Sequence, residues 1–232
     1  MEWKQEYKQT MHWNGTISHR EAKEAVAAKL AALAKDGDVI GFGSGSTSLL
    51  AAEAIARRVR EEGLRIIAVP TSQEMEIHCS NWGIPTATLL SVRPDWCFDG
   101  ADEVDPHGWL VKGRGGAMYR EKLVMAACPK RYILIDDSKR VSQICEKFSI
   151  PVECQCQSVN YVREQLFTLG ADRVEMRLAK AKDGPVITEF GNFILDAHFN
   201  KVPETLERDM KAIVGVVETG LFIGFDPIVL CS

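Results

Sequence analysis

Asp99-Gly100-Ala101-Asp102-Glu103-Val104-Asp105 carries four carboxylates in seven residues, directly after the apolar Trp96-Cys97-Phe98. Lys112-Gly113-Arg114-Gly115-Gly116 follows, with Lys112 thirteen residues beyond Asp99. Ala117-Met118-Tyr119-Arg120-Glu121-Lys122 then reads as the start of a helix, with Glu121 in its first turns. Most charge runs of this kind are solvated loops. This one sits at the end of an apolar run, and a lysine among glycines follows it, which points to chemistry. Three glycines beside Lys112 let its ammonium and the neighbouring amides reach one ligand. Carboxylates with a lysine, and no His–Ser or His–Cys pairing, suit proton transfer better than acyl transfer. Clustered carboxylates also suit a metal, a reading that Lys112, Arg114 and Arg120 make less favourable. His12, His19, His78, His107 and His198 all lie outside these motifs and read as surface or structural residues.

A second motif is Gly41-Phe42-Gly43-Ser44-Gly45-Ser46-Thr47. Glycines allow close backbone approach to a ligand, and Ser and Thr hydroxyls donate hydrogen bonds. A helix starting here aims its free N–H groups and positive dipole end at the loop, so an anion fits. The Gly-Lys-Ser/Thr ending of a P-loop is missing, and Ser46 stands where a dinucleotide fingerprint needs its third glycine. The phosphate of a small metabolite is the better reading; the alternative is a tight strand-to-helix turn with serine caps.

The surrounding elements explain how such motifs would meet. Ser18-His19-Arg20-Glu21 fits a capping box ahead of a helix carrying Ala22, Ala25, Val26, Leu30, Leu33 and Ala34, with Gly37 as its stop. Residues 38–42, 64–70, 96–98 and 132–136 read as buried strands, with helical patterns after 47 and from 73 to about 82. Strands alternating with helices predict a mostly parallel sheet with crossover helices. Ligands bind such sheets at the carboxyl ends of the strands. Gly43–Thr47, Thr71-Ser72, Asp99–Asp105 and Asp136–Lys139 each follow a strand. Beyond Glu146 the pattern predicts a compact α+β module: an extended stretch at 151–154, a helix over 158–169, two strands around Gly191 within 185–196, and a helix over 203–213. Residues 221–230 are apolar enough to return to the first sheet.

The 232 residues allow one domain, or one main domain with a smaller companion. With 46% hydrophobic and 26% charged residues the composition is that of a globular protein. A net charge of -4 argues against general nucleic-acid binding. No apolar run approaches a membrane span, and the first twenty residues hold no apolar signal region, so a cytoplasmic protein without membrane contact is expected. Residues 1–17 read as an extension, either a short amphipathic helix or a tail. The seven cysteines are odd in number and predict free thiols; Cys154 and Cys156 would share one face of a strand.

These segments together resemble the ribose-5-phosphate isomerase family of the A type. The matching stretches are GFGSGSTS (41–48), PTS (70–72), FDGADEVD (98–105), LVKGRGGAMYREKL (110–123), ILIDDSK (133–139), PVE (151–153) and GNFILD (191–196), in the family's order. One departure is Glu189-Phe190, where the family often has Asp-Asn. The resemblance implies an α/β fold: a Rossmann-like, mostly parallel domain over 19–145 plus 219–232, and a smaller α+β domain over 146–218, after an extension at 1–18. It implies no cofactor and no metal, a sugar phosphate as the small-molecule partner, and a homodimer or homotetramer. Carried over residue by residue, it makes Ser44, Gly45, Ser46 and Thr47 the phosphate loop, with Lys23 and Lys139 as cationic helpers. Asp99 and Asp102 become the acidic pair, Lys112 the lysine and Glu121 the general base, with Gly113, Arg114, Gly115 and Gly116 lining the substrate.

The reaction so implied converts ribose 5-phosphate to ribulose 5-phosphate and back through an enediolate, in the non-oxidative pentose phosphate pathway. Glu121 would carry the proton between C2 and C1. Lys112 and the 113–116 amides would stabilise the oxyanion, and Asp99 and Asp102 would bind hydroxyls, assist ring opening and relay protons between O1 and O2. A sugar-phosphate sensor would keep the loop without the base. A deaminase or lactonase of similar architecture would want a catalytic His beside the acids, and a dehydrogenase would want a better fingerprint.

Overall fold

The computed structural model describes residues 16–232. In chain order the elements are α1 (Arg20–Ala31), β1 (Val39–Phe42), α2 (Ser46–Glu62), β2 (Ile67–Pro70), α3 (Gln73–Asn81), β3 (Trp96–Gly100), β4 (Glu103–Val104), β5 (Leu110–Val111), α4 (Met118–Ala127) and β6 (Arg131–Ile135). They continue with β7 (Ile150–Cys154), α5 (Val159–Thr168), β8 (Arg173–Met176), β9 (Phe193–His198), α6 (Leu206–Lys211), β10 (Val216–Thr219), β11 (Leu221–Phe222) and β12 (Ile228–Cys231). The chain divides into two units. Among the described residues, the first holds 16–100, Val124–Asp137 and Ile228–Ser232; the second holds Ala101–Leu123 and Ser138–Pro227.

The first unit is built on a five-stranded sheet in the order β12-β6-β3-β1-β2, every pair parallel. Ile40 and Phe42 on β1, and Trp96 and Phe98 on β3, are buried, as befits strands covered on both faces. They pack with Val26 and Leu30 of α1 and Ala52 and Ile55 of α2 in one core. The chain leaves β1 towards β2 on one side and later fills β3 and β6 on the other. The carboxyl ends of β1 and β3 therefore flank the topological switch point, where such sheets open a crevice.

The second unit has a four-stranded antiparallel sheet, β10-β7-β9-β8, and a three-stranded one, β11-β5-β4. Val152, Cys154, Leu195, Ala197 and Val174 pack with Val162 and Leu166 of α5. The mostly parallel sheet with helices and the separate antiparallel module is the α/β architecture expected from the strand–helix alternation.

Several local expectations fail for identifiable reasons. The Ser18 capping box does not form: α1 is preceded by His19 in a left-handed conformation (φ 53°) with no side-chain cap, and the Ser18 hydroxyl accepts from Lys23 Nζ at 3.3 Å instead. Residues 185–190 do not make a strand. A turn closed by Thr188 N to Asn192 O (2.9 Å) takes their place, and β9 pairs with β7 and with β8, which alternation had not marked. Only part of 221–230 returns to the first sheet: β12 pairs with β6, whereas β11 pairs with β5 in the second unit. Cys154 and Cys156 do not share a strand face, because β7 ends at Cys154 and Cys156 opens a short 3-10 turn. The reading of residues 1–15, His12 included, lies outside the described residues. No helix among the described residues is long and apolar enough to cross a membrane.

Candidate active site

In the first unit, the loop after β1 is tied to the end of β3 through Asp99, which is 2% exposed. Its Oδ1 accepts from the Ser44 amide (3.1 Å), the Ser48 hydroxyl (3.2 Å) and the Gly100 amide (2.7 Å). Gly43 permits this approach, since a Cβ there would land on the Asp99 carboxylate and the Phe98 carbonyl. The Ser44 hydroxyl bonds Thr71 Oγ1 and Ser72 Oγ, each at 2.8 Å, joining the loop after β2. Ser72 also caps α3, accepting from the Met75 amide at 3.1 Å. Beyond the loop, α2 begins at Ser46 with no side-chain cap and no acidic residue in its first turn. Lys23 of α1, 5% exposed, donates from Nζ to Ser46 Oγ at 3.2 Å. Backbone donors at a helix start beside a buried ammonium suit an anion such as a phosphate.

In the second unit, a hairpin closes the ten-residue gap between Asp102 and Lys112. Strands β4 and β5 pair antiparallel, so the Asp102 amide donates to Val111 O (2.8 Å) and Lys112 emerges beside Asp102. The Lys112 amide donates to Gly220 O at 2.8 Å. Gly113 takes φ +90°, and a Cβ on it would press into Met118, so the turn that follows requires glycine. The Gly116 amide closes that turn on Gly113 O (2.9 Å), and the Arg114 amide donates to Asp102 Oδ2 (3.2 Å). Lys112 Nζ then lies 3.3 Å from Glu121 Oε2, with the side chains 3% and 7% exposed. A buried pair of this kind is expensive to desolvate and gives little net stability.

The four carboxylates of 99–105 therefore divide. Glu103 is fully buried and accepts from the amides of Cys145 (2.7 Å), Lys147 and Phe148 (2.8 Å). Asp105 Oδ1 accepts from the amides of His107 and Trp109, both at 2.9 Å, and shapes the hairpin loop. Asp99 and Asp102 instead hold loop amides, Asp99 those of Ser44 and Gly100 and Asp102 that of Arg114. No group of three or more His, Cys, Asp or Glu among the described residues is arranged to hold a metal ion.

Within each unit the expected residues come together: Ser44, Ser46, Asp99 and Lys23 in one, Asp102, Lys112, Arg114 and Glu121 in the other. Lys139 belongs to the second unit and sits 5.3 Å over the Phe148 ring. The departure at Glu189-Phe190 grips the start of α4, with Glu189 pairing Arg120 at 3.1 Å and Phe190 edge-on to Tyr119 at 5.0 Å. Sequence reasoning assigned no role to Ser48 or to Lys122. Lys122 is buried beside Glu121, with its Nζ within hydrogen-bond distance of Glu207 Oε1 (2.6 Å), Glu218 Oε1 (3.0 Å), Thr219 Oγ1 (3.1 Å) and Leu221 O (2.8 Å) and 4.6 Å over Phe222. Ser48 had one readable signal, its place one turn after Ser44; Lys122 had none, since its partners are 85 to 99 residues away.

An open parallel sheet with a glycine- and serine-rich loop at its switch point, carried in one chain with an antiparallel module, defines an α/β protein of two modules. A family model for ribose 5-phosphate isomerase A (phosphoriboisomerase A) matches residues 67–232. Ribose-5-phosphate isomerase A of Methanothermobacter thermautotrophicus is 40% identical over 199 residues, covering 85% of this chain and 87% of that protein. Its namesake in a Synechococcus species is 41% identical over 212 residues, covering 90% and 91%. The solved ribose 5-phosphate isomerase A of Methanocaldococcus jannaschii superposes with a TM-score of 0.88 at 38% identity, covering 92% and 95%. A D-ribose-5-phosphate isomerase in complex with phospho-erythronic acid gives 0.89 at 34% identity, covering 93% and 95%. The chain belongs to the ribose 5-phosphate isomerase A family and is an isomerase.

Proposed function

We propose that the protein interconverts D-ribose 5-phosphate and D-ribulose 5-phosphate through an enediolate, without a metal. The buried Lys112–Glu121 pair carries this reading. Glu121 removes the proton from C2 of the open-chain aldose, leaving an enediolate with its charge on O1. A proton passes from O2 to O1, and Glu121 returns its proton to C1, leaving the ketose. Lys112 offsets the negative charge that develops on the enediolate oxygens, an effect commonly worth about 3 kcal/mol per donor. Asp102, held by the Arg114 amide, and Asp99 assist ring opening and the transfer between O1 and O2. The Ser44–Thr47 loop with Lys23, and Lys139, bind the phosphate, so that binding energy remote from the reacting carbons orients them. Gly113 to Gly116 contribute the amides and the space that the substrate needs.

The reading extends to a homodimer or homotetramer acting in the cytoplasm, in the non-oxidative branch of the pentose phosphate pathway. A relative's structure with phospho-erythronic acid, a phosphorylated sugar acid, supports a sugar phosphate as substrate. The test is turnover of ribose 5-phosphate followed by ribulose 5-phosphate formation, with phospho-erythronic acid as competitor. Turnover with competitive inhibition is expected. Binding of ribose 5-phosphate without turnover would make the protein a sensor and overturn the proposal.

A further inference from the structure

The turn that presents Lys112 is held from outside by an ion pair with no part in the chemistry described above. Arg177 follows β8, and its backbone is fixed on both sides: its amide donates to Ile194 O at 2.9 Å and its carbonyl accepts from the Val186 amide at 2.8 Å. Its guanidinium is held by Asp196 of β9 in a two-pronged contact, Nε to Oδ2 at 2.9 Å and Nη2 to Oδ1. Nη1 donates to two consecutive carbonyls, Gly113 O and Arg114 O, each at 2.9 Å. Four of the five guanidinium N–H groups are thus engaged. The two side chains are 17% and 26% exposed, sheltered enough for these bonds to hold a geometry.

We propose that Arg177, oriented by Asp196, is a positioning residue for the isomerisation, acting through the 113–116 turn that sets Lys112. This rests on the reading that Lys112 works on the substrate. Peptide units are planar, so fixing the carbonyls of Gly113 and Arg114 also fixes the directions of the Arg114 and Gly115 amides. The Arg114 amide is the one that meets Asp102. Gly113 sits at φ +90° and carries no side chain to limit its motion, so the turn needs a restraint from elsewhere in the fold. A planar fork reaching two carbonyls and one carboxylate together supplies it. A lysine ammonium, a point charge with no fixed fork, does not.

The experiment compares Arg177→Met, Asp196→Asn, Lys112→Met and the double variant Lys112→Met/Arg177→Met, each in the full chain and each checked for an unchanged melting temperature. Small misplacements remote from the chemistry can lower rates by up to about 100-fold. Arg177→Met is expected to lower kcat about 10- to 100-fold with KM changed less than about threefold. Asp196→Asn, which keeps the arginine and loosens it, is expected to lower kcat in the same sense by less, and it supplies the reading if Arg177→Met fails to fold. In the Lys112→Met background, Arg177→Met is expected to lower kcat by no more than about twofold further, because residues acting as one unit are non-additive. Equal loss in both backgrounds, or an unchanged kcat in Arg177→Met and Asp196→Asn, overturns the inference alone. Wild-type kcat in Lys112→Met overturns the underlying reading and the inference with it.

Discussion

Lys112 and Glu121 enter the interior as a pair, and each makes the other's burial tolerable. Either charge alone would be costly there, so truncating one strands the other. Thr47 is different in kind: it sits at the start of α2, beside the loop, and is nine-tenths buried. Thr47→Ala is expected to raise KM for ribose 5-phosphate several-fold while leaving kcat within about twofold, measured by steady-state kinetics, because ground-state anchoring is lost without touching the reacting carbons. At this scale the sequence singled out a carboxylate run, a lysine among glycines and a serine-rich loop by type and spacing, and the structure brings Lys112 to Glu121 and Asp99 to the serine loop. What spacing did not announce was the division of labour: Glu103 and Asp105 belong to the same run as Asp102, yet one anchors the 145–148 segment and the other a hairpin loop. That depends on which way each side chain turns when the hairpin forms.

Short elements do most of the positioning. The β4–β5 hairpin has two residues per strand, and it returns the chain so that Asp102 and the 112–116 turn become neighbours. The close passage of β1 beside β3 does the same for the phosphate-type loop and Asp99. Gly43→Ala is expected to destabilise the protein by about 1–3 kcal/mol in urea unfolding, since the added methyl overlaps the Phe98 carbonyl and the Asp99 carboxylate. Strands β1, β2, β3 and β6 were readable because buried parallel strands are continuous apolar runs. Strand β8 escaped notice because its burial pattern is mostly exposed. The 185–190 stretch looked like a strand by composition, but Thr188 Oγ1 and Asn192 Nδ2 bind Glu153 Oε1 at 2.7 and 2.9 Å and hold a turn. At Ser18 the hydroxyl takes Lys23 Nζ, five residues on in α1, in place of a first-turn amide. A tertiary contact overrode the local pattern at 185–190, and a neighbouring side chain did so at Ser18.

At the scale of the molecule, charge networks join segments distant in sequence, as one in the second unit does. Lys122 and Lys211 meet Glu218, 3.0 Å away in each case. Burial works to raise the Glu218 pKa, but the Lys122 charge, the Thr219 amide and Lys211 together hold it below the ordinary glutamate value of 4.5. A depressed carboxylate stabilises the fold fully above its unfolded pKa and loses that contribution as pH falls through its folded pKa. Glu218→Gln is therefore expected to melt below the wild type at pH 7, with the gap closing as pH drops under about 4.5, followed by melting temperature against pH. A gap that persists at low pH would mean that Glu218 contributes by packing. In the proposed reaction Glu121, a carboxylate on α4, moves the proton. Ribose 5-phosphate turnover with EDTA present, wild type against Glu121→Gln, tests this. Chelator-insensitive turnover is expected in the wild type, with a kcat at least about 100-fold lower in the variant. A Glu121→Gln protein at full speed would remove Glu121 from this role, and wild-type turnover abolished by EDTA would put a metal in the reaction.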